Sequence, residues 1–422
     1  MNARRKRSSS WFKLDNAGKL YPSIASSRVS TTFRITAVLN ENVDAVLLQE
    51  ALNDACKNYP VFNVRLRRGL FWYYFENVKD APKIYNEKYY PCNSIRLKET
   101  HASPFSLLYY KNRIHLEMSH AISDGSGSLV FFKQILKHYY SLKHGLTTDK
   151  HNLIGDGQDE DSFKKYYNAN IPNPRKTVRA FHFPFKLIEK GEYRITTGLF
   201  SYDAVKKASN DYNTSPTKYL LMLMFETIQE YIEQHEFKKK EIAPIIINMP
   251  VDMRAYFDSI TVRNFFISLT PQIDTRLGHY TREEIISEID HYFAAHLTNK
   301  HLSQYIRRNF RNELFWHIRI IPLFIKNAVI PWVYNYYGES SYTTSLSNVG
   351  AVKIDEPYGE MIERFELFPP PSEGNIIKAT MISYKDTTAL SFGSLTDNRE
   401  IEKIFFRKLR KEGLHVKIIT NY

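Results

Sequence analysis

Residues Ser119-His120-Ala121-Ile122-Ser123-Asp124-Gly125 decide how this chain is read. Upstream, Ile114, Leu116 and Met118 alternate with Arg113, His115 and Glu117, the period-two pattern of a half-buried strand. His120 shares the parity of the apolar set, so the strand is expected to end with its imidazole pointing inward. Gly125, Ser126 and Gly127 then break the strand. Leu129, Phe132, Leu136 and Tyr139 recur at helical spacing, which predicts a helix from near Ser128 to about Leu142. An inward imidazole at a strand end, with a carboxylate in the following turn, suits a general base in a closed channel. The competing reading is a hydrogen-bonded core histidine, because a lone His-x-x-x-Asp also arises by chance. No metal is expected. His120 lies five positions after His115, so in a strand their side chains leave opposite faces and cannot share an ion with Asp124.

A chain of 422 residues is longer than one core usually serves, and two domains of roughly 200 residues are expected. Hydrophobic residues at 43% exclude a disordered chain. The many Tyr and Phe residues fit either broad apolar channels or ordinary core packing. Cys56 and Cys92 are the only cysteines, which argues against a disulfide framework and for a reducing, cytoplasmic setting. A net charge of +13 favours anionic partners: acidic lipid headgroups, an acidic carrier protein or a phosphorylated cofactor. No nucleic-acid-binding motif accompanies that charge, so nucleic acid is not expected. Lys238-Lys239-Lys240 and Arg407-Lys408 read as solvated surface. Residues 1–10 read as a loose basic tail, since no apolar segment of a signal peptide follows them.

The most hydrophobic stretch, Phe315 to Tyr337, is interrupted by Arg319, Pro322, Lys326 and Pro331 and fails as a transmembrane span. A buried helix-loop segment is expected there. Peripheral membrane contact or a lipid-accepting groove is the alternative. Elsewhere, Thr31 to Leu39 reads as a strand, and Asp44 as the cap of a helix with Leu47, Leu48, Ala51, Leu52 and Ala55 on one face. Val61–Leu66 and Leu70–Phe75 are expected strands joined by Arg67-Arg68-Gly69. Further on, Arg194–Leu199 and Pro244–Met249 read as strands and Leu220–Tyr231 as a helix. Residues 143–176 are polar and proline-marked, the best boundary in the chain. The order is mixed α and β without the strict alternation of a doubly wound fold.

The Ser-His-Ala-Ile-Ser-Asp-Gly segment resembles the active-site motif of the superfamily of chloramphenicol acetyltransferase, peptide-synthetase condensation domains and alcohol acetyltransferases, the HxxxD acyltransferases. Three further segments follow that family's order. Asn248-Met249-Pro250-Val251-Asp252-Met253-Arg254, with Arg263-Asn264-Phe265-Phe266 after it, is similar to the Pro-Val-x-x-Arg…Asn-Phe element of its second half. Ser345-Leu346-Ser347-Asn348-Val349-Gly350 is similar to its later Ser-Asn-x-Gly segment. Trp11-Phe12-Lys13-Leu14-Asp15-Asn16-Ala17 resembles the opening of bacterial alcohol acetyltransferase-like proteins.

The resemblance implies an α/β fold of two chloramphenicol-acetyltransferase-like subdomains, residues 11–175 and 176–422, each a two-layer sandwich, with the active site in a tunnel between them. It implies an acyltransferase with no bound cofactor, taking its acyl group from acyl-CoA or an acyl carrier protein as co-substrate. The acceptor would be an alcohol or amine, small or lipid-like; alcohol O-acetylation is the most specific form. His120 would be the base. Asp124 would be structural, paired with an arginine of the second half, for which Arg254 is the candidate. Gly125 would permit the tight turn. Asn264 would hold loop backbone or line the tunnel, with a simple turn residue as the competing reading, and Ser345 or Ser347 is read as a hydroxyl donor to the oxyanion. Ser119 stands where many relatives carry a first histidine, and is assigned to the substrate channel. A non-catalytic scaffold binding a carrier protein or lipid is the alternative. A thioester hydrolase is disfavoured, since no Gly-x-Ser-x-Gly elbow occurs.

Overall fold

Backbone pairing sorts the strands into three sheets. The computed structural model describes residues 11–26, 29–95, 103–146, 157–174, 178–238, 241–314 and 316–422. The expected basic tail 1–10, Lys239-Lys240 and the boundary at 175 lie outside them.

The first sheet runs in the order Ile362–Phe368, Thr32–Leu39, Arg113–Ser119, Phe105–Tyr110, Tyr85–Asn86. The second runs Phe266–Leu269, Ile245–Asp252, Thr344–Ala351, Ile377–Tyr384, Thr387–Ser394, Arg194–Ser201, Lys417–Thr420, with Gln272–Ile273 beside Ile245–Asp252. Thr344–Ala351 is parallel to both its neighbours. A small sheet joins Trp11–Lys13, Tyr73–Asn77 and Val64–Arg68, so the two expected strands of this region start later than the sequence suggested. Their turn is closed by Gly69 N–H donating to Trp72 O at 3.0 Å.

Each large sheet has its own apolar core. A division at residue 175 does not partition the sheets, however. The strand Ile362–Phe368 comes from the second half of the chain and pairs antiparallel with Thr32–Leu39, Phe365 opposite Ala37. Ile362, Phe365 and Leu367 fill the first core, and buried Glu366 accepts from Arg113 at 2.8 Å. The two halves therefore share a strand and cannot separate without exposing one.

The strand that carries the motif is buried on both faces, unlike the half-buried strand its alternation predicted. Ile114, Leu116 and Met118 face the core. On the other face, Glu117 is neutralised by Arg34, whose Nε and Nη2 donate to its Oε1 at 3.0 and 2.8 Å, and Thr36 pairs with His115 at 2.9 Å. Polar alternation here marks a buried ion network, not solvent. Beneath it lie helices Ala45–Asn58 and Gly125–His144. Asp44 caps the first by accepting from Val46 and Leu47 N–H, and its own N–H donates to Tyr139 on the second at 2.9 Å.

Helix Gly125–His144 starts three residues before the expected point, because Asp124 acts as its N-cap and accepts from Gly127 N–H at 2.9 Å. Gly-Ser-Gly is thus the helix's first turn and not a break. Gly127 belongs there for steric reasons: a Cβ would drive into the carbonyl oxygen of Val262, across the junction between the halves.

Residues 323–337 correct the expectation of burial. Helix Leu323–Tyr337 lies on the surface, with Leu323 in the first core but Phe324, Ile325, Val329, Trp332, Val333 and Tyr336 outward. Among the described residues no helix is long and apolar enough to cross a membrane.

The Gly127 contact is with backbone, which cannot swing aside. Gly127→Ala should therefore lower unfolding stability by about 1–3 kcal/mol or more in urea titrations. An unchanged midpoint would show that the two halves are not apposed so closely.

Candidate active site

The motif turn is fastened from both halves. His120 N–H donates to Thr31 O at 2.9 Å, and its carbonyl accepts from Asn264 Nδ2 at 2.9 Å. Its ring is stacked on Tyr21 at 5.2 Å and tilted against Phe33 at 4.6 Å, both from the first half, and meets Phe266 of the second half at 5.8 Å. Burial in this aromatic cage lowers the imidazole pKa to about 4. The nearby Lys378 charge adds to the fall, while Asn264 and the Ser123 backbone oppose it. Buried Nδ1 has no hydrogen-bond partner. At neutral pH the ring is an uncharged imidazole between the two sheets.

Asp124 turns away from that ring. Besides capping its helix, it accepts from Phe265 N–H at 2.7 Å and from Arg254 Nη2 at 3.2 and 3.0 Å. Arg254 is fully engaged: its Nε donates to Thr261 O at 2.7 Å, Nη1 to Asp252 at 2.8 Å, and Nη2 also to Arg263 O at 2.6 Å. Desolvation raises the Asp124 pKa, with the Arg254 charge as the main opposing influence. The pair spans the two halves of the chain, and its geometry is that of a joint.

Asn264 holds loop backbone, through the His120 carbonyl, and is not a simple turn residue. It is buried, and Nδ2 also lies 3.2 and 3.3 Å from the carboxylate of Asp15. Asp15 caps helix Asn16–Ile24 by accepting from Gly18 N–H at 2.6 Å and sits 3.6 Å from Arg263 Nε. Burial pushes its carboxyl up to about 6 against the pull of Arg263. Helix Asn16–Ile24 in turn supplies Tyr21 to the His120 ring. Asp15 was not singled out in the sequence, although Leu14-Asp15-Asn16-Ala17 carries an N-cap signal.

Ser119 differs from its assignment to the channel. It is fully buried, its hydroxyl accepts from Ala121 N–H at 3.1 Å, and it pairs with Thr31 at 3.3 Å, so it holds the turn from inside. Gly125 has an ordinary helical backbone. The crowding a Cβ would cause there is with Val349 Cγ1, at 2.9 Å, and so comes from the second half rather than from the turn itself.

Strand register places the two serines. Phe266 is opposite Asp252, so Asn248, four residues before Asp252, lies on the same face of the second sheet. Ser345 is in register with Asn248, and the pairing of Leu346 with Ala379 sets Ser345 beside Lys378. Asn248, Ser345 and Lys378 thus form a row on the face that carries Phe266 against His120, with Ser347 one step further along. Their neighbours Ile247, Leu346 and Ala379 point into the second core. Asn248 Oδ1 is buried without a partner. Lys378 is only 8% exposed, and burial lowers its pKa. Neither Asn248 nor Lys378 was read as a site residue, yet a single lysine in Ile377-Lys378-Ala379-Thr380-Met381-Ile382 was the available signal. Asn348 orders a bend: its Oδ1 accepts from Gly350 N–H at 2.7 Å, where φ is +81°. Two cavities, of about 520 and 600 Å³, lie elsewhere; neither is lined by His120.

This arrangement of sheets is similar in fold to solved condensation domains and to an O-acetyltransferase. Among solved structures, the chain is similar to the first condensation domain of the calcium-dependent antibiotic synthetase in complex with a substrate analogue, with TM-score 0.63 and 11% identity over 96% of each chain. It is also similar to trichothecene 15-O-acetyltransferase from Fusarium sporotrichioides, with TM-score 0.62 and 10% identity over 94% of this chain and 93% of that one. Polyketide synthase associated protein 5 from Mycobacterium tuberculosis gives TM-score 0.57 and 13% identity over 94% and 96%. No family model and no curated protein sequence matches the chain.

Breaking a buried ion pair strands the remaining charge. Arg254→Met should cost about 3–5 kcal/mol of unfolding free energy. Combined with Asp124→Asn, the double variant should lose measurably less than the two single losses added, in a urea-denaturation cycle. Simple additivity would show that the two side chains do not act as one joint.

Proposed function

We propose that this protein transfers an acyl group from a thioester, acyl-CoA or an acyl carrier protein, to an alcohol or amine, with His120 as general base. The observation that carries the reading is the placement of His120: its half-buried ring sits among Tyr21, Phe33 and Phe266 at the junction of the halves, with Nδ1 buried and burial lowering its pKa to about 4. The resemblance of the motif and the fold's similarity to an acetyltransferase and to condensation domains support the same reading.

In the proposed reaction His120 takes the proton of the acceptor O–H or N–H as its oxygen or nitrogen attacks the thioester carbonyl carbon. The carbonyl π electrons move to oxygen, giving a tetrahedral oxyanion. Ser345 or Ser347 donates a hydrogen bond to that oxygen, and the Lys378 charge on the same face favours it. Collapse re-forms the carbonyl and breaks the carbon–sulfur bond. The thiolate then takes the proton from His120, which returns to its neutral state. Asp124, Gly125, Arg254 and Asn264 touch neither substrate; they hold the base in place. The aromatic cage limits water around His120, which protects the thioester from hydrolysis. Alcohol O-acetylation is the finest form of the proposal and the first to test.

The test is release of free thiol from acetyl-, medium- and long-chain acyl-CoA, with and without mixed alcohols and amines. Acceptor-dependent release should fall about 100-fold or more in His120→Ala. Acceptor-independent release would indicate a hydrolase. If no thiol is released from acyl-CoA, the same assay with acyl carrier protein separates a carrier-dependent transferase from a non-catalytic scaffold.

The pH profile gives a second handle. A base with pKa about 4 remains competent as pH falls below 6.5, so the acid limb of kcat/KM should lie well below the usual histidine value. The Lys378 ammonium disfavours an imidazolium beside it. Lys378→Met should therefore shift that limb upward, and an unmoved limb would remove Lys378 from the site.

A further inference from the structure

Helix Leu323–Tyr337 is built inside out. Phe324, Ile325, Val329, Trp332, Val333 and Tyr336 recur every three to four residues along its solvent face, with Phe324, Trp332 and Tyr336 respectively 63%, 65% and 61% exposed. Its inward face carries polar groups beside the buried Leu323. Lys326 is 5% exposed, donates to Phe71 O at 2.9 Å and sits 3.5 Å over the Trp72 ring. Asn327 donates to the Tyr73 hydroxyl at 3.0 Å and accepts from Ser23 at 2.8 Å. A helix of a water-exposed surface has the opposite pattern, and an apolar face of this size marks a surface that meets something apolar.

The apolar surface continues past the helix start. Leu323 N–H donates to Leu70 O at 2.8 Å, which brings the exposed Leu70-Phe71 turn alongside, and Ile320 is exposed just before it. The rim is basic. Lys13, Lys19 and Arg319 line a cavity of about 600 Å³ with Trp11, Phe71 and Trp72, and no acidic residue lines it. No Asp or Glu occurs between residues 315 and 338. The chain as a whole carries +13.

From these features we infer that this face docks onto an anionic lipid bilayer. Phe324, Val329 and Trp332 enter the boundary between headgroups and acyl chains, and Lys13, Lys19 and Arg319 meet the acidic headgroups. Charge and shape select this occupant. A long apolar stripe with stacked Trp332 and Tyr336 rings, 5.7 Å apart, has the amphipathic aromatic character suited to a membrane interface, and the charged residues lining the cavity beside it are all basic. The helix is too short to span a membrane, so the protein would rest on the bilayer surface. The helix packs on Asn16–Ile24, whose Tyr21 stacks on His120. Docking would therefore hold the His120 site one helix away from a lipid-soluble acceptor. That last step rests on the acyl-transfer reading; the docking does not.

The experiment is flotation of the full chain with vesicles of phosphatidylcholine alone and of an equal mixture with phosphatidylglycerol. The expected result is binding to the anionic vesicles, weakened by salt, and a blue shift of tryptophan emission. Phe324→Ser with Trp332→Ser should lower the vesicle partition coefficient about tenfold or more while circular dichroism and the thermal midpoint stay unchanged. Arg319→Glu should lower it about fivefold on anionic vesicles only. Failure of the wild-type chain to bind anionic vesicles, or equal binding by the serine variant, would overturn the inference. So would a concentration-dependent dimer that the serine variant abolishes in the absence of vesicle binding, which would assign the face to a second copy. Because flotation needs no turnover, an inactive protein that floats leaves the docking standing and the acyl-transfer reading refuted.

Discussion

The carboxylate of Asp124 is the interaction on which the rest of the site depends. It accepts from an amide of its own helix, from Phe265 N–H in the second half, and from Arg254. A small set of hydrogen bonds thus fixes the helix start, the motif turn and the register between the two sheets. Such a group is costly to bury and is stabilised only while every partner stays in place. The consequence for chemistry is indirect but decisive. With Asp124 committed to the frame, His120 has no carboxylate beside its ring, and its proton affinity is set by the aromatic cage and by Lys378.

Two buried titratable groups near the junction are displaced in opposite senses. Desolvation pushes Asp15 up to about 6 and His120 down to about 4. As pH falls from 6.5 towards 4, an unfolded histidine gains a proton that the folded one refuses, which favours unfolding. Over about 6 to 3.8 the folded protein holds a proton on Asp15 that an unfolded aspartate releases, which favours folding. The two effects oppose each other across much of the same window. The site can therefore keep an uncharged imidazole and a buried carboxyl together without a steep acid penalty from either.

Much of this was legible in the sequence where the signal was local. The strand before His120, the Asp44 cap and the helix after Asp124 all depend on spacing within a few residues. What escaped depends on contacts across the chain. The partnership of Asp15 with Asn264 joins residues 249 positions apart. The strand Ile362–Phe368 has no local feature that assigns it to the first sheet; its register with Thr32–Leu39 does so. Lys378 sat in an apolar run, and only pairing with Thr344–Ala351 places it on the site face. Helix Leu323–Tyr337 was expected to be buried because its composition is apolar. Composition does not say which residues face inward, and here Lys326 and Asn327 do.

The central claim is that the frame leaves the His120 ring half-buried, neutral and available at the junction. It is tested most directly by an NMR titration of the imidazole in protein labelled at histidine, with His120→Gln used to assign its signal among the 14 histidines. The account predicts an uncharged ring from neutral pH downward, with a midpoint near 4. A midpoint at or above the ordinary value of about 6.5 would contradict it, placing His120 in water or beside an unrecognised carboxylate.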